Sequence, residues 1–125
     1  MTTTDPKVDA LRYPIGRFIV PETISASDRA RYIEEIAAAP AAMRAAVEKL
    51  SKAQIDKPYR PGGWTIRQVV HHVPDSHMNA YCRMKLALTE DEPRITAYME
   101  DRWAELPDSR DVPVKTSLAL YEALQ

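Results

Sequence analysis

The sequence predicts an all-α protein, and three observations carry the prediction. Apolar residues recur at helical spacing in two long stretches. No stretch of useful length alternates apolar with polar residues as a half-buried strand does. The breaks between stretches fall at prolines and at Pro61-Gly62-Gly63. With 125 residues the chain suits one domain, and residues 1–125 read as a single helical domain.

Residues 1–24 show no steady period. Tyr13-Pro-Ile-Gly-Arg-Phe18 and Val20-Pro21 read as an ordered but irregular lead-in. A helix is expected from Ser27, taken as N-cap, with Asp28 in the first turn where a carboxylate suits the helix dipole. Ile33, Ile36, Ala37, Met43, Val47 and Leu50 continue it, and Pro40 within it predicts a kink or a split. Residues 51–63 read as a connector.

The next helix start is the clearest local signal. Thr65 is a good N-cap, and Gln68 three residues on completes a capping box. Trp64 and Val69 are spaced as a hydrophobic staple. A helix from about Thr65 to Leu88 would run for about 36 Å. Thr89-Glu-Asp-Glu-Pro93 ends it. Residues 94–113 are expected to be a long loop with one short helical turn near Tyr98 to Trp103, because Pro107 and Pro113 oppose anything longer. A last helix is expected from a cap at Thr116 or Ser117. It meets the final residue, Gln125, after about two turns on an apolar face, which reads as the front part of a longer fold.

Seventeen basic residues against eighteen acidic ones give a net charge of −1, so no basic excess points to nucleic acid or to an anionic membrane. The apolar runs are too short to span a bilayer. Met1-Thr-Thr-Thr-Asp-Pro-Lys7 lacks the pattern of a signal peptide. Cys82 is the single cysteine, which excludes a disulfide framework and makes a cytoplasmic location the expectation.

The candidate chemistry lies on the helix after Trp64, which carries all three histidines. On a helical wheel Ile66, Val69, Val70, Val73, Ala80, Met84, Ala87 and Leu88 form the expected core face. His77 falls near its centre, His72 on its edge, and His71 outward, toward Asp75 and Met78. Imidazole is a common ligand for zinc, nickel, iron or copper. The strong helical pair for one metal is i, i+4, whereas the gaps here are one, five and six residues. Spacing therefore leaves two readings open. In one, a histidine serves a metal whose other ligands lie on other helices. In the other, His77 is a satisfied core residue, His71 a surface residue paired with Asp75, and Cys82 an inert small side chain.

The run Pro58-Tyr-Arg-Pro-Gly-Gly-Trp-Thr-Ile-Arg-Gln-Val-Val-His-His72 resembles the YfiT-like branch of the DinB superfamily. So do Tyr13-Pro-Ile-Gly-Arg-Phe18, Asp75-Ser-His-Met-Asn-Ala-Tyr81 and Lys85-Leu-Ala-Leu-Thr-Glu90. The resemblance implies an up-down-down-up four-helix bundle. It implies a divalent metal, nickel or zinc, held by histidines from different helices, with His72 at the position of the first ligand. It implies a metal-dependent hydrolase, or a thiol S-transferase using bacillithiol or a similar low-molecular-weight thiol, acting on a small molecule as a homodimer. No catalytic residue is implied. Ser76, His77, Asn79 and Arg83 are candidates for supporting the ligand or contacting substrate, Arg83 through an anionic group. The alternative is a non-catalytic helical binding or stress-response module with structural histidines. Two departures stand out. No histidine follows His77, so the family's second ligand pair, His-x-x-x-His, is absent. Pro74 also stands where the family usually has a residue such as alanine, and it removes a helix hydrogen bond two residues after His72.

Overall fold

The computed structural model describes residues 6–125. Within them the order is α1 (Pro6–Arg12), α2 (Ala26–Val47), α3 (Lys52–Ile55), α4 (Ile66–Thr89), α5 (Glu100–Trp103), α6 (Pro107–Asp111) and α7 (Val114–Leu124). No strand occurs among the described residues; one isolated antiparallel bridge joins Pro58 and Thr65. No helix there is long and apolar enough to cross a membrane.

Five local expectations are corrected. The lead-in is not irregular throughout, because Pro6–Arg12 is helical; residues 1–5 of that lead-in and of the N-terminal stretch lie outside the described residues. The N-cap of α2 is Ser25, not Ser27. Its hydroxyl accepts from the Asp28 backbone N–H, and the Asp28 carboxylate accepts from the Ser25 N–H at 3.1 Å, so aspartate takes the part usually played by glutamate in a capping box. Helix α2 is not split at Pro40, which is buried within one continuous helix. Residues 94–113 hold two short helices rather than one turn, and α7 starts three residues before Ser117. The prolines read as breakers do the starting: Pro107 opens α6 and Pro113 caps α7. Proline tolerates a first turn, where its missing N–H has no helical partner to lose.

Helix α4 is the centre of the fold. It packs chiefly on α7 and also touches α6 and α3, while α2 packs on α7 as well. Val47 of α2, Val70 of α4 and Leu118 of α7 form the buried cluster where the long helices meet. Met43, Leu50, Ile66 and Val114 close around it.

The face of α4 that α7 covers overlaps only in part with the one the wheel selects. Val70, His71 and Pro74 are buried, whereas Met84 and Leu88, placed in the core by the wheel, are 62% and 85% exposed. The wheel weighed only the aliphatic side chains of α4. The packing is decided by α7, which lies over an azimuth that includes a histidine and a proline.

Candidate metal-ligand site on α4

The start of α4 is held at both ends of its cap. The Thr65 hydroxyl accepts from the Gln68 N–H at 3.1 Å, and the Gln68 side-chain oxygen accepts from the Thr65 N–H at 3.0 Å. The predicted capping box is therefore present. Upstream, Gly62 takes a left-handed backbone (φ 66°), which favours glycine. The chain then turns so that the Tyr59 N–H donates to the Trp64 carbonyl and the Ile66 N–H to the Lys57 carbonyl. These bonds set the direction in which α4 leaves the turn and the azimuth of the histidines one to two turns later.

Gln68 does more than cap. It is 5% exposed, and its amide N–H₂ donates to the Ala104 carbonyl at 2.7 Å and to the Glu105 carboxylate at 3.1 Å. The segment 98–106 is thereby drawn against α4, and His72 lies on that side, one turn after Gln68.

The three histidines take three different environments. His71, expected outward and paired with Asp75, is buried at 4% exposure. Its Nε2–H donates to the Val112 carbonyl at 2.9 Å, and the Ser117 hydroxyl donates to Nδ1 at 2.6 Å. Both ring nitrogens are committed, and the carbonyl, which can only accept, requires the hydrogen on Nε2. His77 faces α7 as the wheel implied: its ring lies edge-on to Tyr121 at 4.7 Å, and the Gln125 amide donates to Nδ1 at 2.9 Å. His72 differs from both. Its Nδ1 is buried and has no hydrogen-bond partner among the described residues. Trp64 packs edge-on to the ring at 4.8 Å, and Tyr98 stacks over it at 6.4 Å. Trp103 backs Tyr98 at 4.7 Å.

The other candidates lie along α4 beyond His72. Ser76 is exposed. The Asn79 amide donates back to the Asp75 carbonyl within α4 at 2.8 Å, and the Arg83 guanidinium donates to the Thr96 carbonyl at 3.3 Å. Cys82 is an exposed free thiol. Sequence reasoning missed Tyr98 and Trp103 as walls of the His72 environment. A pair of aromatics inside an otherwise polar, proline-broken segment is the signal that could have found them. Burial raises the Tyr98 phenol above its ordinary pKa, with the Ser76 hydroxyl opposing. Burial, and then the charge of Asp108, raise the Asp75 carboxyl, with His72 and His71 opposing.

A buried imidazole nitrogen without a partner is unusual, because desolvating a polar atom costs free energy that a hydrogen bond normally offsets. His72 thus fits one coordination position. The described residues do not complete a centre: no group of three or more His, Cys, Asp or Glu among them could hold a metal ion.

The profile of the DinB superfamily matches residues 35–125. This chain belongs to the DinB superfamily. A Bacillus mycoides (strain KBAB4) protein named "Putative metal-dependent hydrolase" is 52% identical over 114 residues, covering 91% of this chain and 65% of that protein. A counterpart of the same name from Bacillus cereus (strain AH820) is 53% identical, with the same coverage. Among solved structures, YfiT from Bacillus subtilis, described as a probable metal-dependent hydrolase with an unusual four-helix bundle topology, superposes with a TM-score of 0.88 at 48% identity. The match covers 92% of this chain and 66% of YfiT. The fold of this DinB chain is thus that of the YfiT four-helix bundle. The chain spans less than two thirds of the length of these relatives.

Proposed function

We propose that this DinB protein is a metal-dependent hydrolase acting on a small molecule, with His72 supplying one ligand to a divalent nickel or zinc ion. The observation that carries the reading is the buried Nδ1 of His72, unpartnered among the described residues, beside His71, both of whose nitrogens are engaged, and His77, whose Nδ1 is engaged. The names of the relatives support the reaction class. The remaining ligands are taken to come from the part of the family's length that residues 1–125 do not span, and the family's His-x-x-x-His pair suits that role.

When bound, such a metal lowers the pKa of a coordinated water or thiol and so supplies a nucleophile at neutral pH. The residues of this chain prepare the ligand. Trp64 and Tyr98 keep water from the His72 ring, and Gln68 holds the segment that carries Tyr98. The Tyr98 phenol, raised by burial above its ordinary value, is a hydrogen-bond donor at neutral pH. Arg83 spends one donor on Thr96 and has others for an anionic group of a substrate or of a thiol co-substrate. If a low-molecular-weight thiol such as bacillithiol takes the water's place, the same site serves S-transfer. A cytoplasmic homodimer belongs to the same proposal.

One observation favours the second reading, a helical module without chemistry: two of the three histidines make structural bonds, and the described residues hold no three-ligand cluster. Metal analysis of the full-length gene product separates the two. His72→Ala is expected to lower bound nickel or zinc by more than about tenfold, given the dependence of metal sites on each ligand. Unchanged metal content in the folded variant sinks the assignment of His72.

A further inference from the structure

We infer that His71 is a positioning residue for its neighbour: it locks the roll of α4 about its own axis and thereby aims His72. The inference rests on the reading of His72 as a metal ligand.

His71 reaches the junction between α6 and α7, not a helix face. Val112 is the C-cap of α6, and Pro113 the N-cap of α7. The Val112 carbonyl accepts from His71 Nε2–H at 2.9 Å and from an Arg67 guanidinium N–H at 3.1 Å, while Arg67 is itself held by Asp56 at 2.6 Å. On the other side of the ring, Ser117 in the first turns of α7 donates at 2.6 Å. Three bonds therefore tie one azimuth of α4 to the α6–α7 junction and the first turn of α7. Gln68 ties a different azimuth of α4 to Ala104. Two attachments at different angles oppose rotation in both senses, which one attachment does not.

Rotation matters here for two reasons. Successive helical residues are about 100° apart, so any roll that moves His71 moves His72 by the same angle. At the helix surface, about 5–6 Å from the axis, a roll of about 10° shifts a side chain by about 1 Å. Metal–ligand distances hold to about 0.2 Å. The helix is also weakened at this point. Pro74 has no N–H to give the Val70 carbonyl, so one rung of the ladder is missing within three residues of both histidines. Pro74 itself is fully buried. The His71 bonds replace local helical rigidity with tertiary rigidity where the ligand needs it.

Nickel(II) affinity of the full-length gene product, read by titration calorimetry at 20 °C, tests the inference alongside thermal unfolding and far-UV dichroism. His71→Leu removes both ring bonds and is expected to weaken nickel binding about 10–100-fold while the protein remains helical at 20 °C. His71→Gln keeps one donor and one acceptor at similar reach and is expected to recover most of that affinity. Ser117→Ala, which leaves α4 untouched, is expected to weaken binding by a smaller, measurable factor. A merely structural His71 would lower the melting temperature of the Leu and Ala variants and leave nickel affinity of the folded protein unchanged; that result overturns the inference while His72→Ala still loses the metal. If His71→Leu fails to fold, unchanged affinity in Ser117→Ala overturns it. Unchanged affinity in His72→Ala removes the metal reading and the inference with it.

Discussion

The two sides of α4 solve opposite problems with similar residues. On the α7 side polar groups are saturated: His71 and His77 both find partners, Arg67 reaches Asp56 and Val112, and Val70 and Leu118 fill the space between. On the side facing the 98–106 segment, Gln68 makes the hydrogen bonds, and the imidazole next to it is enclosed by aromatic rings with one nitrogen left over. Two histidines adjacent in sequence thus end as a structural clip and as an uncommitted donor. Saturation makes a stable interface. An unsatisfied buried nitrogen is a cost, and proteins keep such costs chiefly at functional sites.

The largest expected effect comes from breaking the saturated side. Leu118 is 4% exposed at the junction of α2, α4 and α7. Leu118→Ala should cost about 2–5 kcal/mol, the range for truncating a buried leucine. Urea unfolding followed by helical dichroism measures it. A cost below about 1 kcal/mol would mean that α7 is not the packing partner that organises α4.

Gln68→Ala breaks the other side. It removes the reciprocal half of the capping box and the buried bond to the Ala104 carbonyl, leaving that carbonyl without its donor. The expected loss is about 1–3 kcal/mol, smaller than for Leu118 because hydrogen bonds to water replace part of what is lost. Hydrogen exchange sharpens the comparison. Protection should fall over residues 100–106 and at the first turn of α4, and stay unchanged in α7. Uniform loss across all helices would show that the two sides of α4 are one cooperative unit.

The legibility of the sequence follows the same division. The start of α4 could be read because capping is local: Thr65 and Gln68 are three residues apart and their bonds need nothing else. The starts of α6 and α7 were misread because proline both ends and begins helices, and Pro107 and Pro113 do the second. The α2 cap was displaced by two residues because Asp28 serves as cap partner rather than as a simple first-turn charge. The fold class and the family were legible in the Trp64-to-Tyr81 run. The division between the histidines was not. Whether His71 points outward or inward depends on where α7 lies, which is a property of a helix more than 40 positions away. Helical periodicity within α4 selected an aliphatic face that the fold leaves partly open at Met84 and Leu88.

The smallest expected effect lies at the seam between the two sides, at Asp75. Its carboxyl sits one turn after His71, is half-buried, and forms no ion pair with a lysine or arginine among the described residues. Burial first, and then the charge of Asp108, hold its pKa above the ordinary value; His72 and His71 pull it down by less. A carboxyl whose pKa is raised on folding binds protons more readily folded than unfolded, so its ionisation costs stability. That cost is absent below the unfolded-chain value of about 3.9. It grows as pH rises through the raised folded value and is complete at neutral pH. Asp75→Asn keeps the shape and removes the charge, so the variant should melt about 1–2 °C above the parent at pH 7, where the parent's carboxyl is ionised. At about pH 3 the two should melt together, since the parent's carboxyl is then neutral as well. Melting curves at the two pH values check this. A variant less stable than the parent at pH 7 would mean that the carboxylate serves as an acceptor in the protein, and the seam would then belong to the saturated side of α4.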